Sequence, residues 1–221
     1  MNQFLGFGML RMTKNLMICI AFSLIPGIAL AAISYKEKIH YELVSPAQPT
    51  SVDEGKIEVV EMFWYGCPHC NALEPYVERW VGKIPKEAQF VRMPAIFRPE
   101  WEIHARAFYT AEILGVLDKT HAAMFDAIHN QHRKLNTEAE LMDFFKQHGV
   151  SNKDFQRVFK SFAVEAKIRR SKDMSQRYGI RGVPSIIVNG KYRTSANLAN
   201  GNANIFKVVN FLIDKEASAK K

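Results

Sequence analysis

The chain has 221 residues, 48% of them hydrophobic and 24% charged, enough apolar material for one domain or one domain carrying an insertion. Its formal charge is +8, but the basic residues are scattered, with no basic run and no aromatic interleaving, so the composition excludes the footprint of a nucleic-acid binder and no nucleic-acid partner is expected. The three cysteines, Cys19, Cys67 and Cys70, exclude a structural disulfide framework.

Residues 1–31 hold no acidic residue. Arg11 and Lys14 form a charged segment, Leu16 to Leu30 an apolar one, and Ala29-Leu30-Ala31 matches a small-residue cleavage pattern. An uncleaved membrane anchor is the rival reading, but the apolar run is broken by Pro26-Gly27 and is short for a span of about 20 residues. A lipoprotein would need small residues before Cys19, where Met17 and Ile18 stand. A cleaved signal peptide is therefore expected, with a mature chain from Ala32. That chain, bound for an oxidising compartment, keeps only Cys67 and Cys70 as thiols.

Residues 32–54 form a polar extension punctuated by Pro46 and Pro49, in which Tyr41-Glu42-Leu43-Val44 has the pattern of a short edge strand. Ile57 to Trp64 is an apolar, β-forming run that ends at Tyr65-Gly66, and a helical pattern then runs from Cys67 through Ala72, Leu73, Val77 and Trp80. Pro75 falls inside it and predicts a kink. Gln89 to Met93 is the next strand, so helix 67–83 becomes the crossover between two parallel strands. From Trp101 to Tyr178 the signal is helical. Leu141, Phe144, Phe145 and His148 share one face, and Phe155, Val158, Phe159 and Phe162 are read as a second core stripe. Thr137 to Glu140 reads as a capping box, Ser151 as an N-cap, and Gly149 and Gly179 as helix ends. Ser185 to Val188, Asn189-Gly190 and Lys191 to Thr194 spell a hairpin. Ile205, Val208, Val209 and Leu212 place an amphipathic helix over 204–216.

The chemistry concentrates at Cys67-Pro68-His69-Cys70. Cysteines three apart in a first helical turn share a face at roughly 5 to 6 Å between Cα atoms, which a disulfide accepts. The first of them sits where free N–H groups and the helix dipole favour a thiolate, the species that attacks disulfides. Cys67 is thus the candidate nucleophile and Cys70 its resolving partner. His69 can direct hydrogen bonds or positive charge at the Cys67 sulfur. A purely structural disulfide closing four residues would stabilise little. A metal site finds no second C-x-x-C and no companion for His129 and His132, so no metal is expected. These two, His104, His121 and His148 are read as surface or packed helical residues.

CPHC, taken with the distant Gly182-Val183-Pro184, resembles the DsbA family of thiol:disulfide oxidoreductases, which put disulfides into proteins in the bacterial periplasm. The resemblance covers the chain from about Gly55 to the C-terminal helix. It implies an α/β, thioredoxin-like fold in two parts, 55–98 and 179–221, with a helical insertion over 99–178. By this resemblance Pro75 kinks the active-site helix without ending it, and Pro68 and His69 set the redox poise. Glu61, six residues before Cys67, would lie beneath the site and relay the proton of the buried Cys70. The alternative for Glu61 is a strand-end carboxylate paired with a lysine. Pro184 would be cis, leaving the Val183 backbone free to pair with an extended substrate. Trp64 and Tyr65 are either substrate surface or core, and Pro94-Ala95-Ile96-Phe97 is a second candidate rim.

The activity implied is a dithiol oxidase acting on reduced, unfolded secreted proteins in the periplasm. Reoxidation would come from a DsbB-like membrane quinone reductase, with no bound cofactor. The extension over 32–54 is too short for the dimerisation domain of related isomerases, which implies a monomer. A disulfide isomerase or reductase on the same scaffold, or a periplasmic chaperone with an incidental disulfide, are the rival readings.

Overall fold

The computed structural model of the chain describes Met1 and residues 34–219. Apart from Met1, the leader over 1–31 with Cys19, the start at Ala32 and the terminal Lys220-Lys221 lie outside the described residues. In chain order the elements are β1 (Glu42–Leu43), β2 (Ile57–Phe63), α1 (Pro68–Val81), β3 (Ala88–Pro94), α2 (Pro99–Ile113), α3 (Leu117–His129), α4 (Glu138–Gln147), α5 (Asn152–Phe159), α6 (Phe162–Arg177), β4 (Ser185–Val188), β5 (Tyr192–Thr194) and α7 (Asn202–Ala219). One mixed sheet has the order β1-β5-β4-β2-β3. β2 and β3 run parallel, joined by α1 as the crossover, while β4, β5 and β1 are antiparallel additions.

β2 is buried along its whole length because both faces of the sheet are covered. Its side chains alternate between the faces, as a pleated strand requires. Ile57 and Val59 pack with Leu73, Val77 and Trp80 of α1 and with Ile205, Val208 and Leu212 of α7. Val60 and Met62 point the other way, toward Met93, Ile187, Met174 and Tyr178. Phe63, at the strand's end, enters a third cluster formed with the helices between β3 and β4, and this cluster also encloses Tyr65, Cys67 and Cys70. The strand that leads to the cysteines therefore touches every part of the core.

Local signals act where the sequence places them. Thr137 and Glu140 close a reciprocal capping box, and Ser151 accepts from the Asp154 N–H. Asn189 and Gly190 both adopt positive φ, at 52° and 64°, the geometry of a tight hairpin turn. A side chain at Gly190 would run into the Gln48 backbone, so glycine is required there twice over. α1 continues unbroken through Pro75, so that proline does not end the helix. Two expectations are corrected. Phe162 is not on the core stripe of Phe155, Val158 and Phe159: α5 ends at Phe159, Ser161 caps a new helix, and the redirected chain leaves Phe162 78% exposed. The segment Pro94 to Phe97 is not a surface rim either, since Ala95 and Ile96 are buried under the helical layer and only Phe97 reaches solvent.

This correction has a measurable consequence. Phe155→Ala is expected to lower unfolding free energy by about 3–5 kcal/mol, whereas Phe162→Ala changes it by less than about 0.5 kcal/mol; denaturant titration of the two variants checks both.

Candidate active site

Cys67 occupies the N-cap of α1, with extended backbone angles, and Pro68 follows at the first helical position. Proline is suited to that place because its missing N–H would have no partner there. The Cys67 N–H is fixed by the Trp64 carbonyl at 3.0 Å. The helix thus begins just after Cys67, and the N–H groups of His69 and Cys70 point back at its sulfur. The Cys70 thiol and these backbone N–H groups all favour a charged sulfur at Cys67. Against the opposing effect of burial they lower its pKa to about 6, the Cys70 side chain contributing most and the His69 charge least. One turn on, Cys70 is fully buried, and loss of hydration drives its pKa far up. Both cysteines are free thiols in this structure.

The Val183–Pro184 peptide is cis, and the Cys67 thiol faces the Val183 carbonyl at 3.5 Å. An open pocket of about 420 Å³ runs from here, lined by His69, Arg181, Val183, Pro184, Asn197 and Asn202 among others. His69 is exposed at its edge. Trp64 is half-buried and stacks on Trp101 with ring centroids 4.3 Å apart, and Phe97 leans on Trp101. A side chain at Gly66 would collide with the Trp64 ring, so the glycine lets that ring close over the strand–helix turn. Trp64 and Tyr65 thus divide: Trp64 sits at the rim, Tyr65 is core at 1% exposure.

Glu61 points from β2 into the protein beneath the cysteines and is completely buried. Its pKa is raised to about 8, first by loss of hydration and next by the Glu74 charge. Its partner is an arginine on the neighbouring strand and not a lysine: Arg92 Nε lies 3.3 Å from Glu61 Oε2. The alignment is poor enough that neither atom forms a hydrogen bond. Arg92 directs its Nη2 instead to Glu74 at 3.0 Å and Glu78 at 2.7 Å.

Three histidines of the helical layer converge on Tyr65, and sequence reasoning saw in them only packed or surface residues. The His121 ring bonds the Tyr65 hydroxyl at 2.8 Å through Nδ1, and its Nε2 meets Glu74 at 3.3 Å. His129 Nε2 lies 2.8 Å from the Tyr65 carbonyl. His104 stacks on Trp64, and burial pushes its pKa down to about 4, so the ring is neutral. Among the described residues no cluster of three or more His, Cys, Asp or Glu side chains is placed to hold a metal.

A family model described as the DSBA-like thioredoxin domain matches residues 58–212. The chain is 42% identical over 211 residues to the thiol:disulfide interchange protein DsbA of Pseudomonas syringae pv. tomato, covering 94% of this chain and 98% of that protein. It is 40% identical over 210 residues to that of Pseudomonas aeruginosa, covering 94% and 99%. Among solved structures it is similar to Pseudomonas aeruginosa DsbA, with TM-score 0.80 and 42% identity over 85% of this chain and 97% of that one. It is also similar to the oxidoreductase DsbA of Xylella fastidiosa, with TM-score 0.76 and 30% identity over 81% and 96%.

The helix start makes a prediction with a definite sign. Cys67 has a folded pKa of about 6, against about 8.5 for a free thiol, so the reduced protein gains stability as pH rises through that interval and has lost this contribution once pH falls to about 6. The melting temperature of the reduced form minus that of the disulfide form is therefore expected to widen toward neutral pH and to shrink in acid. Ultraviolet titration of the Cys67 thiolate, with Cys67→Ala as blank, should show the same midpoint. His69→Ala should raise that midpoint less than Cys70→Ala does.

Proposed function

From a chain that belongs to the DSBA-like thioredoxin-domain family and is a thiol:disulfide oxidoreductase, we infer a dithiol oxidase in which Cys67 exchanges with substrate and Cys70 exchanges only with Cys67. The observation that carries this assignment is the contrast across one helical turn. Cys67 has its sulfur 3.5 Å from the carbonyl of Val183, which lines the pocket, and a pKa of about 6, while Cys70 is enclosed with its pKa driven far up. A stabilised thiolate favours the reduced enzyme, which makes the disulfide the stronger oxidant.

The steps balance as follows. A substrate thiolate attacks the Cys67 sulfur, the Cys67–Cys70 bond breaks, and the electron pair leaves on the Cys70 sulfur. A buried thiolate there is unfavourable, so that sulfur takes up a proton, which Glu61 supplies. A second substrate thiolate then attacks the substrate sulfur of the mixed disulfide, and Cys67 departs as a thiolate, a good leaving group at its lowered pKa. Substrate leaves with a disulfide and the enzyme holds two thiols. Glu61 regains a proton from solvent in the reduced enzyme, and in reoxidation its ionised fraction takes the Cys70 proton before Cys70 attacks. The pocket beside Val183 and Pro184 accepts an extended chain, whose backbone pairs with that of Val183. Pro68 fixes the helix start, and His69 adds a small positive bias at Cys67.

The substrates are reduced, unfolded secreted proteins, and a DsbB-like membrane quinone reductase takes the electrons. The enzyme works in the periplasm as a monomer after removal of a signal peptide ending at Ala31. No helix among the described residues is long and apolar enough to cross a membrane.

The test is a reduced two-cysteine peptide mixed with the disulfide form of the protein. One equivalent of peptide disulfide is expected per enzyme disulfide. Cys67→Ala should abolish it, and Cys70→Ala, charged with a small mixed disulfide at Cys67, should pass that group to peptide without completing the cycle. Glu61→Gln should slow the step in which Cys70 leaves by about 100-fold, the usual scale of positioned proton transfer. An unchanged rate would remove Glu61 from the mechanism.

A further inference from the structure

His121 of α3 is 6% exposed and caged edge-on by Phe63, Phe108 and Phe125. Each of its nitrogens meets one partner. Nδ1 lies 2.8 Å from the Tyr65 hydroxyl, and Nε2 lies 3.3 Å from Glu74 Oε1. The other oxygen of Glu74 accepts from the Arg92 guanidinium at 3.0 Å, which favours a carboxylate at Glu74. A carboxylate only accepts, so the proton of the neutral imidazole sits on Nε2 and Nδ1 accepts from the Tyr65 hydroxyl. The chain has one direction: Tyr65 O–H to His121, His121 N–H to Glu74.

This chain ends at a choice. Glu61 on β2 and Glu74 on α1 both face Arg92 of β3, and Glu78, on α1 and mostly exposed, also bonds it. Tyr65, Cys70 and His121 complete the titratable groups packed around them. One partly buried guanidinium cannot stabilise both inward carboxylates equally, so the pair titrates together and shares a proton. Glu74 has two directed hydrogen bonds, from Arg92 and from His121. Glu61 has proximity to Arg92 and no hydrogen bond. We propose that His121 is a positioning residue for the exchange reaction: by donating to Glu74 it places the anion there and leaves the shared proton on Glu61, beneath Cys70. This deepens the reading of Glu61 as the proton carrier for Cys70. The helical layer thereby sets the protonation of a carboxylate to which it donates no hydrogen bond.

The experiment is infrared difference spectroscopy of the protonated-carboxyl band in the full chain at neutral pH. In the wild-type protein that band should disappear in Glu61→Gln and persist in Glu74→Gln; a band that belongs to Glu74 overturns the proposal. In His121→Phe, which keeps the ring in its aromatic cage and removes the donor, the Glu61 component should fall by on the order of half as the proton redistributes to Glu74. His121→Gln, which restores an N–H at the Nε2 position, should recover it. A folded His121→Phe protein with an unchanged Glu61 band overturns the assignment, whatever its melting temperature. Should that variant not fold, nitrogen-15 shifts of the wild-type imidazole decide: a proton on Nδ1 overturns it equally. The band does not depend on catalysis, so a Glu61→Gln protein that exchanges at the normal rate would remove the relay while leaving the His121 assignment standing.

Discussion

The site depends on where α1 begins. Cys67 is the last residue before the helix and Cys70 the third within it, so one sulfur lies at the positive end of the helix and the other is carried into the core. Nothing about the two thiols differs except this placement. What holds the placement is apolar packing: Leu73, Val77 and Trp80 fasten the helix to β2 and α7. Trp80 adds an indole N–H donated to Asn210 at 2.8 Å. The redox asymmetry is thus maintained by the same burial that stabilises the sheet, at roughly 1.5–3 kcal/mol for each large side chain removed from water.

The helices between β3 and β4 complete the environment that the sheet begins. Phe63 and Tyr65, at the end of β2, belong to the same cluster as Phe108, Phe125 and Phe144, so the turn leading to Cys67 is embedded in the helical layer. His129 lies at the Tyr65 carbonyl and His121 bonds its hydroxyl, which fixes that residue at both ends, two positions before the nucleophile. The helical layer also brings Trp101 against Trp64. It therefore acts on both the geometry of the turn and the apolar surroundings of Trp64.

What the sequence made legible was what neighbours in sequence determine. The C-x-x-C spacing, the proline at the helix start, the Thr137 capping box and the Asn189-Gly190 turn each state their geometry within a few residues. The correspondence of Glu61 and Pro184 with the site came from the resemblance, since neither residue carries a local signal strong enough to be read alone. The Arg92 partner of Glu61 and the histidines around Tyr65 were not legible. His121 stands 56 positions from Tyr65 and 47 from Glu74, and no periodicity records such a meeting. Phe162 misled for a related reason. Its spacing continued the apolar stripe, but Ser161 restarted the helix and rotated the register.

The least economical feature of the fold is its buried carboxylate. Glu61 is enclosed at a position flanked by Val59, Met62 and Phe63, all fully buried, where an apolar residue of similar size would cost no desolvation. An unpaired charge there would be several kcal/mol unfavourable, so the group keeps its proton until the pH approaches about 8. Arg92 does not cancel this cost, because its directed hydrogen bonds go to Glu74 and Glu78. A full ion pair would hold Glu61 permanently ionised, and a hydrophobic neighbour in place of Arg92 would hold it permanently neutral. The observed arrangement lies between the two, with a cation close enough to admit the charge and too poorly aligned to fix it. A carboxyl so balanced changes protonation near pH 8, the property that the proposed proton exchange with buried Cys70 requires.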